Sequence, residues 1–194
     1  MTPIERIIKT PLRFQPWNHK YLENVFDAED LPYILESAKE ISEKFKDLKG
    51  SKSIHFEDKS YPTSEKTIEI FNKFSDNLFK NKESILAQFN NNRRYRIYKK
   101  DAYWGVCNNQ TYNTHPDTFD KALTMVVYLW PEIAVGTRLY IDDRLESYYS
   151  TAEWKPNNGI LFAPHVFKTW HDFLHYGDQA RVTINFYIKF KYEL

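Results

Sequence analysis

The sequence predicts an α+β protein in which helices brace one face of a mainly antiparallel β structure. Three observations lead there. Apolar residues recur at three- and four-residue intervals through the first half of the chain. From Arg93 onward they fall into short runs rich in Tyr, Val, Ile, Thr and Trp, broken by turn residues. The length of 194 residues suffices for one well-buried core and is short for two. Residues 1–194 are therefore expected to form a single domain, helical over about 1–90 and β over about 93–190.

The first helix is expected from about Glu29 to Phe45, where Asp27 can cap, Asp30 sits three residues on, and Leu31, Ile34, Leu35, Ala38 and Ile41 follow at helical spacing. A polar linker runs from Asp47 to Pro62. Ser64 then caps a second helix carrying Ile68, Ile70, Phe71, Phe74, Leu78 and Phe79, and a short third helix lies near Ile85 to Phe89. The β half is punctuated by Asn108-Asn109, Pro131, Gly136, Pro156-Asn157-Asn158-Gly159 and Gly177-Asp178. Within it, Val166 to Trp170 forms a mainly apolar run ending at His171. A turn at His175 to Asp178 would fold the strand starting at Arg181 back alongside His171. Val182, Ile184, Phe186 and Ile188 share one face of that strand, leaving Arg181, Thr183, Asn185 and Tyr187 on the other. No repeat or low-complexity tract interrupts the chain.

Composition narrows the function classes. With 27 basic against 26 acidic side chains the formal charge is +1, so no global field recruits nucleic acid or an anionic membrane. Arg93-Arg94-Tyr95-Arg96 is the one local basic patch, and such runs are more often solvated strand faces. Cys107 is the sole cysteine, which excludes an intrachain disulfide and suits a reducing, cytoplasmic setting. Met1 to Leu12 lacks the apolar stretch of a signal peptide, and no run reaches membrane-spanning length.

Chemistry concentrates in the β half. His115 and Asp117 are two apart, so on a strand they would point to one face and grip one metal together; Pro116 favours extended backbone at His115. Alone this is weak, because six histidines and 26 acidic residues supply about one such triplet by chance. A second, His55-Phe56-Glu57, lies in the charged linker and reads as a surface coincidence. What lifts the first is a further histidine from a distant strand, for which His165, His171 and His175 compete, and the guanidinium of Arg181 ten residues beyond His171.

The spacing His115-x-Asp117, then His171, then Arg181-x-Thr183, resembles the iron(II)- and 2-oxoglutarate-dependent dioxygenases. The lead-ins Leu123 to Leu129, Gly136 to Tyr140, Asn158 to Phe162 and Thr169-Trp170 are similar to the prolyl-hydroxylase-like branch, over roughly residues 93 to 190. The chain departs from many relatives in having Gly136-Thr137 where they show paired glycines, and from several in using arginine rather than lysine at 181. The resemblance implies a double-stranded β-helix, a jelly-roll or cupin-like barrel. It implies iron(II) on His115, Asp117 and His171, and 2-oxoglutarate and dioxygen at the three remaining positions. The distal carboxylate of the cosubstrate would lie on Arg181, with Thr183 as second donor. Iron, Asp117, 2-oxoglutarate and Arg181 then contribute +2, −1, −2 and +1, which cancel. The retained aspartate, which related halogenases lack, implies hydroxylation with release of succinate and carbon dioxide.

The substrate expected is a peptidyl prolyl residue or a small amino-acid-like molecule. Of Tyr103, Trp104, Tyr112, Trp130, Tyr148, Tyr149 and Trp170, most read as packing. Tyr148 and Tyr149 are the candidate substrate contacts, because the polar stretch Asp142 to Pro156 suits a mobile cover. Cys107 reads as a small buried hydrophobe. Two rival functions stand beside this one: a nucleic-acid demethylase of the same superfamily, drawing on Arg93, Arg94 and Arg96, and a metal-binding barrel without turnover.

Overall fold

A computed structural model describes residues 1–89, 98–165 and 167–190. Among them are four helices: α1 (Pro3–Lys9), α2 (Leu31–Lys44), α3 (Glu65–Lys80) and α4 (Lys82–Gln88). The strands are β1 (His19–Leu22), β2 (Gly50–His55), β3 (Tyr98–Asn108), β4 (Gln110–His115), β5 (Lys121–Trp130), β6 (Arg138–Tyr140), β7 (Tyr148–Thr151), β8 (Gly159–Phe162), β9 (His171–His175) and β10 (Arg181–Phe190). They form a six-stranded sheet, β1-β8-β5-β10-β3-β2, and a four-stranded sheet, β4-β9-β6-β7. All the strand pairs are antiparallel. The expected helix-braced antiparallel arrangement is what forms. No helix among the described residues is long and apolar enough to cross a membrane.

The helices form where the apolar spacing places them. Ser64 caps α3 by accepting from the Thr67 N–H at 3.1 Å. Asp27 does not cap α2; its carboxylate pairs with Arg6 at 2.8 Å, and the first turn is closed by the Asp27 carbonyl instead. Ile34, Ala38 and Ile41 of α2 and Ile70, Phe71, Phe74 and Leu78 of α3 are buried against the large sheet. There they meet Ala102, Trp104 and Val106 of β3, Leu123, Met125 and Val127 of β5, and the even-numbered residues 182–188 of β10. Phe186 packs among Phe26, Phe71 and Phe74, with ring centroids 6.4, 6.0 and 4.9 Å away.

Three expectations about strands are corrected. The first half carries β1 and β2 as well as helices, and β2 sits in what reads as a polar linker. Its burial pattern explains the misreading: as an edge strand it buries Ile54 alone well, so it needs no apolar alternation. The turn after His175 does not return the chain beside His171. β9 pairs with β4 and β6 while β10 pairs with β3 and β5, so residues 176–180 carry the chain from one sheet to the other. A strand apolar on one face and polar on the other, with both faces covered, belongs in the middle of the larger sheet. Residues 167–170 are irregular rather than strand, and Val166 lies outside the described residues.

The opposite crossing, from β3 to β4, takes one residue. Asn109 adopts φ 50°, a left-handed conformation that asparagine tolerates, and this corner sends β4 into the small sheet. His115 thereby arrives across from β10 rather than beside it.

Candidate functional site

On the face of β10 turned away from the helices, Arg181, Thr183, Asn185 and Tyr187 stand in a row. Cross-strand partners share a face, so Cys107 and Gly105 of β3 and Thr124, Val126 and Tyr128 of β5 join them. Strands β4 and β9 bring His115, His171 and Phe173 from the small sheet. All of these but Tyr128 line a cavity of about 240 Å³, with Thr137 and Asp117 supplied by the loops before β6 and β5. Gly105 leaves room at this wall: a Cβ there would lie 2.6 Å from Thr183 Oγ1 and 2.7 Å from Asn185 Nδ2, so both side chains would have to shift.

His115, Asp117 and His171 each offer a ligand atom, and the three atoms lie within 4.8 Å of one another. Two imidazoles and a carboxylate this close together are a donor set that could hold one metal ion. The Nδ1 atoms of His115 and His171 face the carbonyls of Asn113 and Thr169, two residues back in each case, at 2.9 and 2.8 Å. A carbonyl only accepts, so each Nδ1 carries the proton and each Nε2 keeps its lone pair for a metal. Burial, reinforced by the neighbouring His171, pushes the His115 imidazole down to about 4, which keeps it neutral.

Asp117 sits beyond the end of β4, not on it. The shared strand face inferred from its spacing is therefore replaced by a loop, in which Pro116 has no N–H to continue the ladder. Its carboxylate is oriented by Thr124 Oγ1 at 2.6 Å and by the Lys121 ammonium. Burial alone would raise this carboxyl, but His171, Lys121 and the bonds from Lys121 and Thr124 outweigh it and hold it below the usual carboxylate range.

Arg181 is 3% exposed. Its guanidinium carbon lies 4.7 Å from the Phe173 ring centroid and 4.8 Å from that of Trp154, with Tyr128 at 5.8 Å. Burial pushes its pKa down to about 10, which still leaves it charged at neutral pH. Nε reaches the Val135 carbonyl at 3.4 Å, whereas Nη2 is buried without a hydrogen-bond partner, and no carboxylate pairs with the group among the described residues. Tyr128 is fixed by stacking on Trp154 and by donating to Thr137 Oγ1 at 3.0 Å while accepting from the Thr137 N–H at 3.1 Å. Gly136 before it could not be another residue, since a Cβ would lie 1.8 Å from the Ala152 carbonyl oxygen.

Behind the small sheet, the side chain after His171 makes a second polar cluster. Asp172 is fully buried, accepts two bonds from Arg138 at 2.6 and 2.7 Å, and accepts from Tyr140 Oη at 2.9 Å and Thr114 Oγ1 at 3.5 Å. It thus ties the residue following one histidine to the residue preceding the other.

Of the residues singled out by sequence, His115, Asp117, His171, Arg181 and Thr183 are brought together in one cavity. Tyr148 and Tyr149 are not. Residues 148–151 form β7, paired with β6, and both tyrosines are about half exposed outside the cavity lining. Within the expected cover, Tyr148–Thr151 form the edge strand β7, and Tyr, Ser and Thr residues suit a strand with a solvated face. Trp104 is core, His55 is an exposed strand end, and His175 is held by the Gln179 carbonyl at 2.6 Å. Cys107 is buried at the cavity wall, where burial pushes its thiol up. The basic patch Arg93-Arg94-Tyr95-Arg96 and the side chain of Tyr112 lie outside the described residues. Sequence reasoning missed Lys121, Thr124, Thr137, Trp154 and Asp172. Thr124 had a signal, as a polar residue at an alternating position within an otherwise apolar run; the others had none.

No family model matches the sequence, and no curated protein matches it by sequence. Solved structures do match in fold. A prolyl hydroxylase from Trichoplax adhaerens, in complex with a hypoxia inducible factor oxygen degradation domain peptide fragment, superposes with a TM-score of 0.64 at 12% identity, over 95% of this chain and 88% of that one. A Pseudomonas putida prolyl-4-hydroxylase gives 0.55 at 9% identity, over 90% and 93%. The fold is prolyl-hydroxylase-like.

Proposed function

We propose that this chain is an iron(II)- and 2-oxoglutarate-dependent dioxygenase, its two sheets forming a double-stranded β-helix, that hydroxylates a peptidyl prolyl residue or a small amino-acid-like substrate. The observation that carries the reading is Arg181: a buried, charged guanidinium with an unpartnered Nη2, opening on the same cavity as two histidines and a carboxylate. A purely structural metal site has no use for it. A buried cation without a counter-ion is costly, and a dicarboxylate that also chelates the metal would relieve that cost.

His115, Asp117 and His171 would hold the iron, and Arg181 with Thr183 the distal carboxylate. Bound iron and 2-oxoglutarate supply the oxidation, in which dioxygen converts the cosubstrate to succinate and carbon dioxide and one oxygen atom passes to the substrate. The carbonyls of Asn113 and Thr169 keep a proton on each Nδ1 and so hold both imidazoles in the ligating tautomer. Thr124 and Lys121 orient the Asp117 carboxylate. Trp154, Phe173 and Tyr128 exclude water from Arg181, which strengthens its pairing with an anion. The peptide seen with the Trichoplax prolyl hydroxylase supports a peptide as one substrate class.

Anaerobic titration of iron(II) and 2-oxoglutarate tests the reading. One iron per chain should bind, and a metal-to-ligand absorption band should appear only when both are present. Alanine at His115, Asp117 and His171 together should abolish iron binding, whereas His55→Ala and His175→Ala should retain it. Unchanged stoichiometry in the triple variant would refute the assignment.

A further inference from the structure

We propose, resting on the dioxygenase reading above, that Lys121 is a specificity-determining residue and that the substrate brings a carboxylate to it. The charged groups at the cavity show why. Asp117 is the one acid among its lining residues, against Lys52, Lys121 and Arg181. Lys52 turns away, donating to Tyr61 Oη at 2.6 Å on the outer side. Beyond the cavity, Lys99 and Lys189 are matched by Asp101 and Asp120, with Lys189 3.1 Å from Asp101 and 3.8 Å from Asp120.

In the protein alone, Asp117 and Lys121 neutralise each other. With iron and 2-oxoglutarate bound, the sum over Asp117, Lys121, iron, 2-oxoglutarate and Arg181 is −1 + 1 + 2 − 2 + 1, or +1. Once the metal draws on Asp117, the excess falls on Lys121, whose side chain is 15% exposed and whose ammonium lies 4.1 Å from the Tyr187 ring centroid. The cosubstrate cannot supply the missing anion. Tyr187 and Arg181 are six residues apart on one strand, about 20 Å, so Lys121 serves the far end of the row.

An uncompensated cation at a mostly buried position disfavours an uncharged substrate there and favours a carboxylate. An interior peptide segment offers only neutral amides at its backbone. The geometry therefore points to an amino-acid-like molecule whose carboxylate lies close to the carbon that reacts.

The test uses the intact protein loaded anaerobically with manganese(II) and 2-oxoglutarate, and reads equilibrium binding by calorimetry rather than turnover. The probes are the N-acetyl derivatives of the standard amino acids, each as free acid and as matched amide. The amides of N-acetylaspartate and N-acetylglutamate separate a side-chain carboxylate from an α-carboxylate. At least one carboxylate-bearing probe should bind about tenfold tighter than its neutral partner, the equivalent of about 1.4 kcal/mol. Lys121→Gln keeps a donor for Asp117 but removes the charge, and should shrink that ratio to less than about twofold, while Lys121→Arg should keep most of it. Ratios are compared only between proteins shown to be saturated with manganese(II) and 2-oxoglutarate, because the excess charge on Lys121 exists only in the loaded site. Acids and amides binding alike, no acid binding at all, or an unchanged ratio in Lys121→Gln would overturn the proposal. Absence of manganese-dependent 2-oxoglutarate binding in the native protein would instead withdraw the dioxygenase reading itself.

Discussion

The two faces of β10 share a backbone and differ in what burial does to them. On one, Val182, Ile184, Phe186 and Ile188 are buried against the helices, where apolar contact is its own reward. On the other, Arg181 and Thr183 are just as buried, yet among the described residues Arg181 has no counter-ion and keeps an unpartnered nitrogen. One face stabilises the fold; the other costs it something that a ligand can return. The difference teaches where to look for function in such a strand: at buried groups whose needs the protein itself leaves unmet.

Substitutions on the two faces should therefore separate stability from binding. The largest expected effect on stability is at Phe186, whose replacement by alanine removes a ring held among Phe26, Phe71 and Phe74 and should cost about 3–5 kcal/mol in urea unfolding. A loss below about 1 kcal/mol would mean that the helix-facing side is not the stabilising one. Next comes the small sheet. Arg138→Met leaves the buried Asp172 carboxylate with only the Tyr140 and Thr114 hydroxyls and should cost about 3 kcal/mol, whereas Arg138→Met with Asp172→Leu should recover most of it. A double variant no more stable than the single one would show that the ion pair does more than neutralise charge. The smallest effect is at Ser64, outside the cavity lining: Ser64→Ala removes the α3 cap and the hydroxyl contact with Thr67 and should cost about 1 kcal/mol, with iron affinity unchanged.

Much of the helix-packed face could be read from the chain. Ser64 and the spacing of Ile70, Phe71, Phe74 and Leu78 announce α3, because capping and amphipathic periodicity are local signals. The alternation from Arg181 to Ile188 likewise announces a two-faced strand. What escaped was partner choice. Nothing local distinguishes a return beside His171 from a crossing to the other sheet, and β2, as an edge strand, carries no alternation to betray it. The candidate ligands His115, Asp117 and His171 were legible through spacing and resemblance, although Asp117 reaches the cavity from a loop. Lys121 and Asp172 were not legible, since their roles depend on contacts fixed by loop and sheet geometry. That Tyr148 and Tyr149 lie on an edge strand was not legible, because a polar composition suits a solvated strand as well as a mobile cover.

The central claim is that the unmet need of Arg181 is a carboxylate of 2-oxoglutarate. Titrating 2-oxoglutarate into the anaerobic iron(II) complex of the native protein and of Arg181→Ala measures it directly. The variant should hold iron almost normally, while its affinity for 2-oxoglutarate falls by about thirty-fold to several-thousand-fold, the equivalent of about 2 to 5 kcal/mol for a truncated buried charge pair. Lysine at 181 should recover only part of that loss, because a point charge cannot reproduce the paired contact. Equal affinities in the native protein and Arg181→Ala would contradict the account.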